Sequence, residues 1–318
     1  MRTTLHTDSF SNLPRVEVAP LKATVTMPGM VRSTEEVDIK GRQALMSEDG
    51  KCFGVHSTGY KVVQHEDLFN RFKEYLLNRI GEYAEDYKQK VMVSHGGARA
   101  YAVWEFPKLA FDILTPNGFK TNSTLIVYCK NSHDGAWSPT GASGLMDFFC
   151  ENMEMGGEWK LFRGKHTSGF TIDKFLAPQV NWISTFREQR NRQITQAYTP
   201  CGIYDAEKFV LSIPKFSQKA KDSDGEPLEV DGVAVLEPNR LGNSIMDRFH
   251  KESEMRGHNL FSLSSALTYY ASHDSEEFPH RKRASALYSG SKEMANIVKR
   301  SEEVRDIINT HPLFKVAA

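Results

Sequence analysis

Two adjoining stretches, CFGVHSTGYKVV (52–63) and QHEDLFNRFKEYLLNRI (64–80), determine the predicted fold. The first is rich in β-branched residues and punctuated by glycine, which predicts an extended segment. The second places apolar side chains three and four residues apart, which predicts a helix with one buried face. This pattern favours an α+β fold, because the apolar face of the helix needs a sheet to pack against.

The next stretches predict two β-hairpins. VMVSHGGARAYAVWEF (91–106) contains two apolar runs joined at Gly96-Gly97, and FDILTPNGFKTNSTLIVYCK (111–130) has a turn signal at Pro116-Asn117-Gly118. After residue 170 the periodicity becomes helical, and it predicts helices over 178–199, 241–255, 260–271 and 291–308. The predicted fold class is therefore α+β: an antiparallel hairpin sheet with a packed helix, followed by a mostly helical C-terminal region.

Three regions follow from this order of elements. Residues 1–50 are predicted to be an extended segment, with short strands interrupted by prolines. Residues 51–200 are expected to form an α+β core, and residues 201–318 a helical C-terminal region.

Composition excludes several classes of protein. The chain of 318 residues is 40% hydrophobic and 25% charged, which is typical of a folded protein, and its 40 basic residues balance its 40 acidic ones. This balance excludes a histone-like binder that depends on overall positive charge. The N-terminal MRTTLHTDSF lacks an apolar signal segment, and no run is long enough to span a membrane. We therefore expect a cytoplasmic protein without a membrane partner.

The most pointed polar motif is Asn131-Ser132-His133-Asp134-Gly135, directly after the second hairpin. Asn, Ser, Asp and Gly form turns, so a structural role is one interpretation, and an oligomer contact is another. Catalysis by a histidine beside an aspartate is a third. Metal binding by His133, Asp134 and His166 also stays open, although no HxH or HExxH spacing supports it.

Cys150-Glu151-Asn152 and Lys165-His166-Thr167 are the next polar groups. A cysteine near His133 or His166 would form a nucleophile–base pair, but Cys150 follows two phenylalanines and is more typical of a buried apolar residue. No Walker-type phosphate loop occurs, so no nucleotide cofactor is expected, and no enzyme signature is present.

Residues 159–192 combine positive charge with aromatic side chains. This segment contains seven Lys and Arg residues but only two carboxylates. The aromatic residues that interleave with them in the sequence are Trp159, Phe162, Phe170, Phe175, Trp182 and Phe186. Proteins that bind single strands typically use cations along the phosphates and aromatic rings stacked on the bases. The alternative interpretation is an ordinary helix whose basic side chains are solvated and whose aromatic side chains are buried. The first interpretation leads us to expect a DNA-binding groove in the 51–200 core. The predicted nucleic-acid-binding residues are Lys160, Arg163, Lys165, Arg187, Arg190, Arg192, Arg99 and Lys130.

The run from Phe53 to Thr167 resembles the phage/plasmid-like family of unknown function. The resemblance rests on Tyr60-Lys61-Val62-Val63-Gln64, Gly96-Gly97-Ala98-Arg99, residues 131–135, Cys150 with Asn152, and His166-Thr167. Downstream, Asn259-Leu260-Phe261 and Ala266-Leu267-Thr268-Tyr269 are similar to the family's C-terminal helix. The family's Val-Arg-Val-Val-Cys strand is replaced here by Leu145-Met146-Asp147-Phe148-Phe149.

A more distant likeness to Rad-fifty-two-type single-strand annealing proteins rests on the order strand, helix, hairpin sheet and basic helix. It implies an ATP-independent protein that binds and anneals single-stranded DNA as a homo-oligomeric ring or filament. The alternatives are a metal-dependent nuclease or hydrolase that uses His133, Asp134 and His166, and a non-enzymatic interaction or structural phage protein.

Overall fold

The computed structural model describes residues 5–7, 9–27, 33–147, 152–154, 162–272 and 292–315. It is a mixed α+β structure of antiparallel sheets and several helices, as the sequence periodicities predict. The chain divides into two compact units. The first contains Met1–Lys108, Ile126–Ser143 and Trp159–Ile183, and the second contains Leu109–Leu125, Gly144–Glu158 and Ser184–Ala318. The sequence-based boundaries at residues 50 and 200 stay a prediction.

The strands and helices have the following bounds. The strands are Leu5–Thr7 (β1), Val16–Met27 (β2), Ser33–Ser47 (β3), Cys52–Ser57 (β4), Lys88–Ser94 (β5), Arg99–Leu114 (β6), Lys120–Ser132 (β7), Thr140–Asp147 (β8), Asn152–Glu154 (β9), Phe162–Arg163 (β10), Ser217–Lys219 (β11), Glu229–Val230 (β12), Val233–Ala234 (β13) and Leu236–Pro238 (β14). The helices are His65–Ile80 (α1), Ile172–Leu176 (α2), Trp182–Tyr198 (α3), Ile203–Ser212 (α4), Arg240–Arg256 (α5), Leu260–Ser272 (α6), Lys292–Thr310 (α7) and Pro312–Lys315 (α8). None of the helices in the described part of the chain is both long and apolar enough to cross a bilayer.

The main sheet has the strand order β1-β5-β6-β7-β8-β10, with β9 paired to β8. A separate sheet has the order β2-β3-β4. Both predicted hairpins are confirmed: β5 and β6 pair antiparallel across a short 3₁₀ turn at His95–Gly97, and β6 and β7 are neighbours across residues 115–119. Thr115 closes the second turn, because its amide donates to the carbonyl of Phe119 at 2.9 Å.

The predicted helix over 64–80 is confirmed as α1, and it forms the core of the first unit. Leu68, Phe69, Phe72 and Leu76 are fully buried on its inner face. The ring of Phe72 lies 5.5 Å from that of Trp104 on β6, centre to centre. Burial of each such side chain contributes about 1.5–3 kcal/mol, so this apolar stripe determines how α1 packs.

Gln64 holds the start of α1 through its side chain. Its amide oxygen accepts a hydrogen bond from the backbone N–H of Val16 at 3.1 Å, and its amide nitrogen donates to the Val16 carbonyl at 2.7 Å. The helix ends at Gly81, whose φ of 62° is unfavourable for a residue with a side chain. The Gln64 side chain therefore ties the beginning of β2 to the beginning of α1.

The N-terminal strands differ from their prediction. The prolines were expected to divide residues 1–50 into short strands, but β2 continues for 12 residues and β3 for 15. Pro20 lies where the β2–β3 register shifts, between Pro20 and Lys22. At such an irregularity the missing N–H of proline costs little, which explains why the strand continues through it.

The second unit has its own apolar core. Phe209 of α4, Phe249 of α5, Leu263 and Leu267 of α6, and Val304 of α7 are buried together. α5 and α6 contain the ranges 241–255 and 260–271 that were predicted to be helical. The side chain of Asn259 joins them, because it accepts from the Ser262 N–H at 2.9 Å and donates to the Arg256 carbonyl at 2.7 Å.

Candidate functional site

Four motif segments that are far apart in the sequence meet within the first unit. The Asn131 amide donates to the Val63 carbonyl at 2.6 Å, and the His133 N–H donates to the Ala98 carbonyl at 2.7 Å. The Lys61 N–H donates to the carbonyl of His166 at 3.2 Å. Residues 60–65, 97–99, 131–135 and 166 therefore surround one site. We call the side chains of His56, Tyr60, His65, His133 and His166 the histidine cluster.

The motif 131–135 forms the end of β7 and the bend that follows it. Ser132 Oγ donates to the Trp137 carbonyl at 3.1 Å and accepts from the Trp137 N–H at 2.9 Å. Asp134 Oδ1 accepts from the Ala136 N–H at 3.0 Å. Gly135 has φ 74°, and a Cβ at this position would lie 2.9 Å from Cε1 of His56. Turn chemistry therefore accounts for the backbone of this motif, and the close approach of His56 requires the glycine.

Three half-buried rings of the cluster form a stack. The Tyr60 ring centre lies 4.1 Å from that of His56 and 4.6 Å from that of His166. His56 Nε2 lies 3.0 Å from the His133 carbonyl, and His166 Nδ1 lies 3.1 Å from the Lys61 carbonyl. Because a carbonyl only accepts, both nitrogens carry a proton, which fixes the orientation of the two imidazoles. The Tyr60 hydroxyl donates to the Ser132 carbonyl at 3.2 Å.

His65 and His133 form the interior of the cluster and are fully buried. His65 Nε2 donates to the Gly97 carbonyl at 3.2 Å, which leaves Nδ1 to accept from the Asn131 amide at 3.1 Å. Burial lowers the pKa of His65 to about 3 and that of His133 to about 2, the latter with help from the neighbouring His65 and His166. Both imidazoles are therefore neutral at pH 7.

A carboxylate and two cations border the cluster. Arg99 Nε donates to Asp134 Oδ2 at 2.5 Å, with 14% and 16% of the two side chains exposed. Arg99 and Lys130 also lie over the ring of Trp137, at 5.7 and 5.6 Å from its centre. Arg99 and Lys130, both predicted to contact nucleic acid, thus lie against groups of the fold itself. Within the described residues, no three His, Cys, Asp or Glu side chains are placed to hold a metal ion.

The other predicted basic residues lie in two different units. Arg163 and Lys165 are exposed in the first unit, and Arg187 and Arg190 are exposed on α3 in the second. Arg192 is half-buried and donates to Asn309 Oδ1 at 2.7 Å. Lys160 and Cys150 lie outside the described residues, as does the side chain of Asn152 at the start of β9.

The aromatic residues between these cations are not available to stack on bases. All five that the structure describes are buried: Phe162, Phe170, Phe175, Trp182 and Phe186. Phe162 packs within 6.0 Å of Trp182, ring centre to ring centre, and Phe186 packs within 5.6 Å of Phe111. Of the two interpretations of this segment, stacking of these rings on bases is wrong and the alternative, a buried aromatic face, is confirmed for these five residues, because their apolar area contributes more inside the core. Trp159 lies outside the described residues.

Three glutamines occupy the buried side of α3. Gln189, Gln193 and Gln196 are at most 3% exposed, and Gln196 Oε1 accepts from the Ser264 hydroxyl at 3.1 Å. Arg190, four residues from both Phe186 and Ile194, has an exposed side chain. A pattern of apolar residues does not reveal a buried face made largely of amides.

Comparison with known families gives one result. The model of a family described as a domain of unknown function (DUF932) matches residues 52–215, just over half of the 318 residues. The chain belongs to the DUF932 family. The predicted membership of a family of unknown function is confirmed at this level. The DUF932 match contains the whole histidine cluster, α3 and α4. No curated protein and no solved structure matches the chain.

Sequence reasoning missed part of the cluster that the DUF932 region encloses. His56 lies in β4 and His65 is the first residue of α1, and neither belongs to a recognisable chemical motif. His56 lies four residues before Tyr60 and His65 directly follows Gln64, so proximity to the Tyr60–Gln64 motif was the available signal. Trp137, which both Arg99 and Lys130 face, was also missed.

Proposed function

We propose that this protein binds single-stranded DNA without a nucleotide cofactor and promotes the annealing of complementary strands. One observation carries the proposal: the exposed face of α3 presents Arg187 and Arg190 to solvent. On an ideal helix the exposed residues Arg187, Arg190, Asn191, Thr195 and Tyr198 fall within an arc of about 140°, and the exposed Glu188 lies just beyond its edge. We call these five residues the α3 face.

The α3 face has the chemistry of a phosphate-binding surface. Two guanidiniums and an asparagine amide donate hydrogen bonds to phosphate oxygens independently of base sequence. The buried side chains of Trp182, Phe186 and the three glutamines fix the orientation of α3 about its axis. The α3 face is therefore held toward solvent. In this mechanism electrostatic attraction holds the strand, its bases stay free to test pairing, and no covalent bond changes.

Assembly and a likeness to annealing proteins belong to the same proposal. An antiparallel sheet packed against α1 is similar in outline to the core of Rad-fifty-two-type annealing proteins, and this is an analogy of fold. We propose a homo-oligomeric ring or filament, since many copies of a short face can hold a long strand together. Mass measurement with and without poly-dT tests this point, and an unchanged monomer mass would contradict it.

The decisive experiment is fluorescence anisotropy with a labelled dT oligonucleotide. Arg187→Ala with Arg190→Ala should weaken binding and reduce the log–log salt slope by about one to two units, since each lost phosphate contact contributes roughly 0.7–1. The matched control is Lys219→Ala with Lys221→Ala, which removes two exposed charges elsewhere in the same unit. A folded arginine double variant that binds as the parent does would reject this face.

A hydrolase that uses His133, Asp134 and His166 has less support. The Asp134 carboxylate is occupied by Arg99 and by the Ala136 N–H, and His133 is fully buried. Metal-dependent strand cleavage that is lost in Asp134→Asn would favour the hydrolase instead. Absence of any DNA binding at low salt would favour the interaction or structural protein.

A further inference from the structure

Two exposed tyrosines lie where α3 gives way to α4. Tyr198, the last residue of α3, is 58% exposed, and Tyr204, the second residue of α4, is 74% exposed. Ile203 beside them is 48% exposed. Single exposed apolar residues are ordinary on a protein surface, but three large ones within seven residues concentrate apolar surface at this one connection. We call residues 198–204 the tyrosine corner.

The tyrosine corner is rigid. Thr199 accepts a backbone hydrogen bond from Leu260 at 2.9 Å, and the Cys201 N–H donates to the His258 carbonyl at 3.1 Å. The Gly202 N–H donates to Asp205 Oδ2 at 3.0 Å at the start of α4. Because the backbone is fixed on both sides, little conformational freedom of the main chain is lost when the rings bind a ligand.

Tyr198 lies on the same side of α3 as the arginines. It follows Arg187 by 11 residues, which on an ideal helix is a rise of about 16 Å and a rotation of about 20°. A B-form strand covers this distance in about five nucleotides at roughly 3.4 Å each, and an unstacked single strand, which is more extended, covers it in fewer. One strand can thus contact the guanidiniums near one end of the helix and the tyrosine ring at the other.

The charges indicate what the tyrosine corner binds. Asp205 and Glu207 are exposed on α4 beside a single cation, Lys208, so this end of the surface does not attract phosphates. Glu188, next to Arg187, accepts a hydrogen bond from the Ser184 hydroxyl at 3.1 Å. A ligand that has phosphates at the arginines must therefore contact the corner with uncharged groups, and the flat faces of unpaired bases have that chemistry.

We propose that Tyr198 and Tyr204 stack against unpaired bases of a strand whose phosphates are held by Arg187 and Arg190. This inference rests on the proposed function and adds the reason why single strands are preferred to duplex. Bases in a duplex are stacked on one another, so their faces are closed to the tyrosines. The rings select the single strand, and the arginines supply affinity for any nucleic-acid backbone.

The test combines two variants with three ligands. Tyr198→Ala with Tyr204→Ala is compared with Tyr198→Phe with Tyr204→Phe, on a dT 20-mer, an abasic 20-mer and a 20-base-pair duplex. We expect the alanine variant to lose about ten-fold or more in affinity for dT, since it cannot stack on the bases, and to bind the abasic strand as the parent does. The phenylalanine variant should bind dT like the parent, because it keeps both rings.

Two outcomes would overturn this inference alone. In the first, the alanine variant binds dT as tightly as the parent while the Arg187→Ala, Arg190→Ala variant does not. In the second, the alanine variant loses the same factor on dT and on the abasic strand, which means that no base contact is involved. If the parent protein binds none of the three ligands, the proposed function fails as well, so the two failures are distinguishable.

Discussion

The imidazole rings of His65 and His133 lie 3.9 Å apart, centre to centre, in the fully buried interior of the histidine cluster. Neither ring can hold a proton there without placing a positive charge beside the other in a medium of low polarity. The pair is therefore stable only when neutral, which makes the first unit sensitive to acid.

We expect the free energy of unfolding to fall as the pH drops below 6.5. The unfolded chain binds protons at both histidines below their usual pKa of 6.5, whereas in the folded chain the pKa is lowered to about 3 for His65 and about 2 for His133. Stability is thus complete above pH 6.5 and is lost at up to about 1.4 kcal/mol per pH unit for each histidine as the pH falls toward these folded values. Urea unfolding between pH 8 and pH 5 measures this slope, and a flat profile would contradict the neutral pair.

His133→Leu should reduce that slope without unfolding the protein. Neither ring nitrogen of His133 has a hydrogen-bond partner among the described residues, so an apolar side chain of similar size is expected to cost less than about 1.5 kcal/mol at pH 8. His65→Leu leaves the Gly97 carbonyl without its donor and removes one of the two acceptors of the Asn131 amide, which keeps the Val63 carbonyl, so it should cost about 1–3 kcal/mol more. Equal losses in the two variants would show that the two histidines are equivalent.

Removal of one partner of the Arg99–Asp134 ion pair should destabilise the fold, because the other charge is then mostly buried without a counter-charge. Asp134→Asn keeps the acceptor for the Ala136 N–H but leaves the mostly buried Arg99 uncompensated, with an expected cost of about 3 kcal/mol. Asp173→Asn is the control, because its pair with Arg71 is largely exposed and should contribute less than about 1 kcal/mol. Thermal unfolding of both variants checks the difference, and similar melting temperatures would refute it.

Two arginines of the second unit should differ in their effect on stability. Arg190 is exposed, so Arg190→Ala should change the free energy of unfolding by no more than about 0.5 kcal/mol. Arg256 is fully buried, and its Nε lies 2.9 Å from Oε2 of Glu252, which keeps Arg248 at 2.6 Å, so Arg256→Ala should cost about 1.5–3 kcal/mol. Urea denaturation compares them directly. A large loss in Arg190→Ala would mean that a stability effect also explains any loss of DNA binding.

Asn259 should matter for stability through its capping of α6. Asn259→Ala removes the acceptor for the Ser262 N–H and is expected to cost about 1–2 kcal/mol. Hydrogen exchange should also become faster at the Leu260 N–H, which donates to Thr199 in the tyrosine corner. Asn259→Asp is the control, because it retains the acceptor. Exchange as fast in the Asn259→Asp variant as in the Asn259→Ala variant would argue against the capping role.

Local patterns in the sequence were sufficient for much of the fold. The helix at 65–80 follows from an apolar stripe of period 3.6, and the hairpin turns at 95–97 and 115–119 follow from glycines and asparagine that suit such turns. The turn character of residues 131–135 was also readable, because it depends on hydrogen bonds within a few residues. These features need only neighbours in the chain.

Burial and long-range contacts were decided only by the tertiary structure. Gln189, Gln193 and Gln196 are polar in composition yet buried, so the exposed side of α3 could not be found from apolar spacing. His65 and His133 are 68 residues apart in sequence, and only the packing of α1 against β7 brings their rings together. Long-range packing also decides which aromatic rings are buried. The phenylalanines that alternate with cations in the sequence lie in the core, whereas Tyr198 and Tyr204 are exposed to solvent.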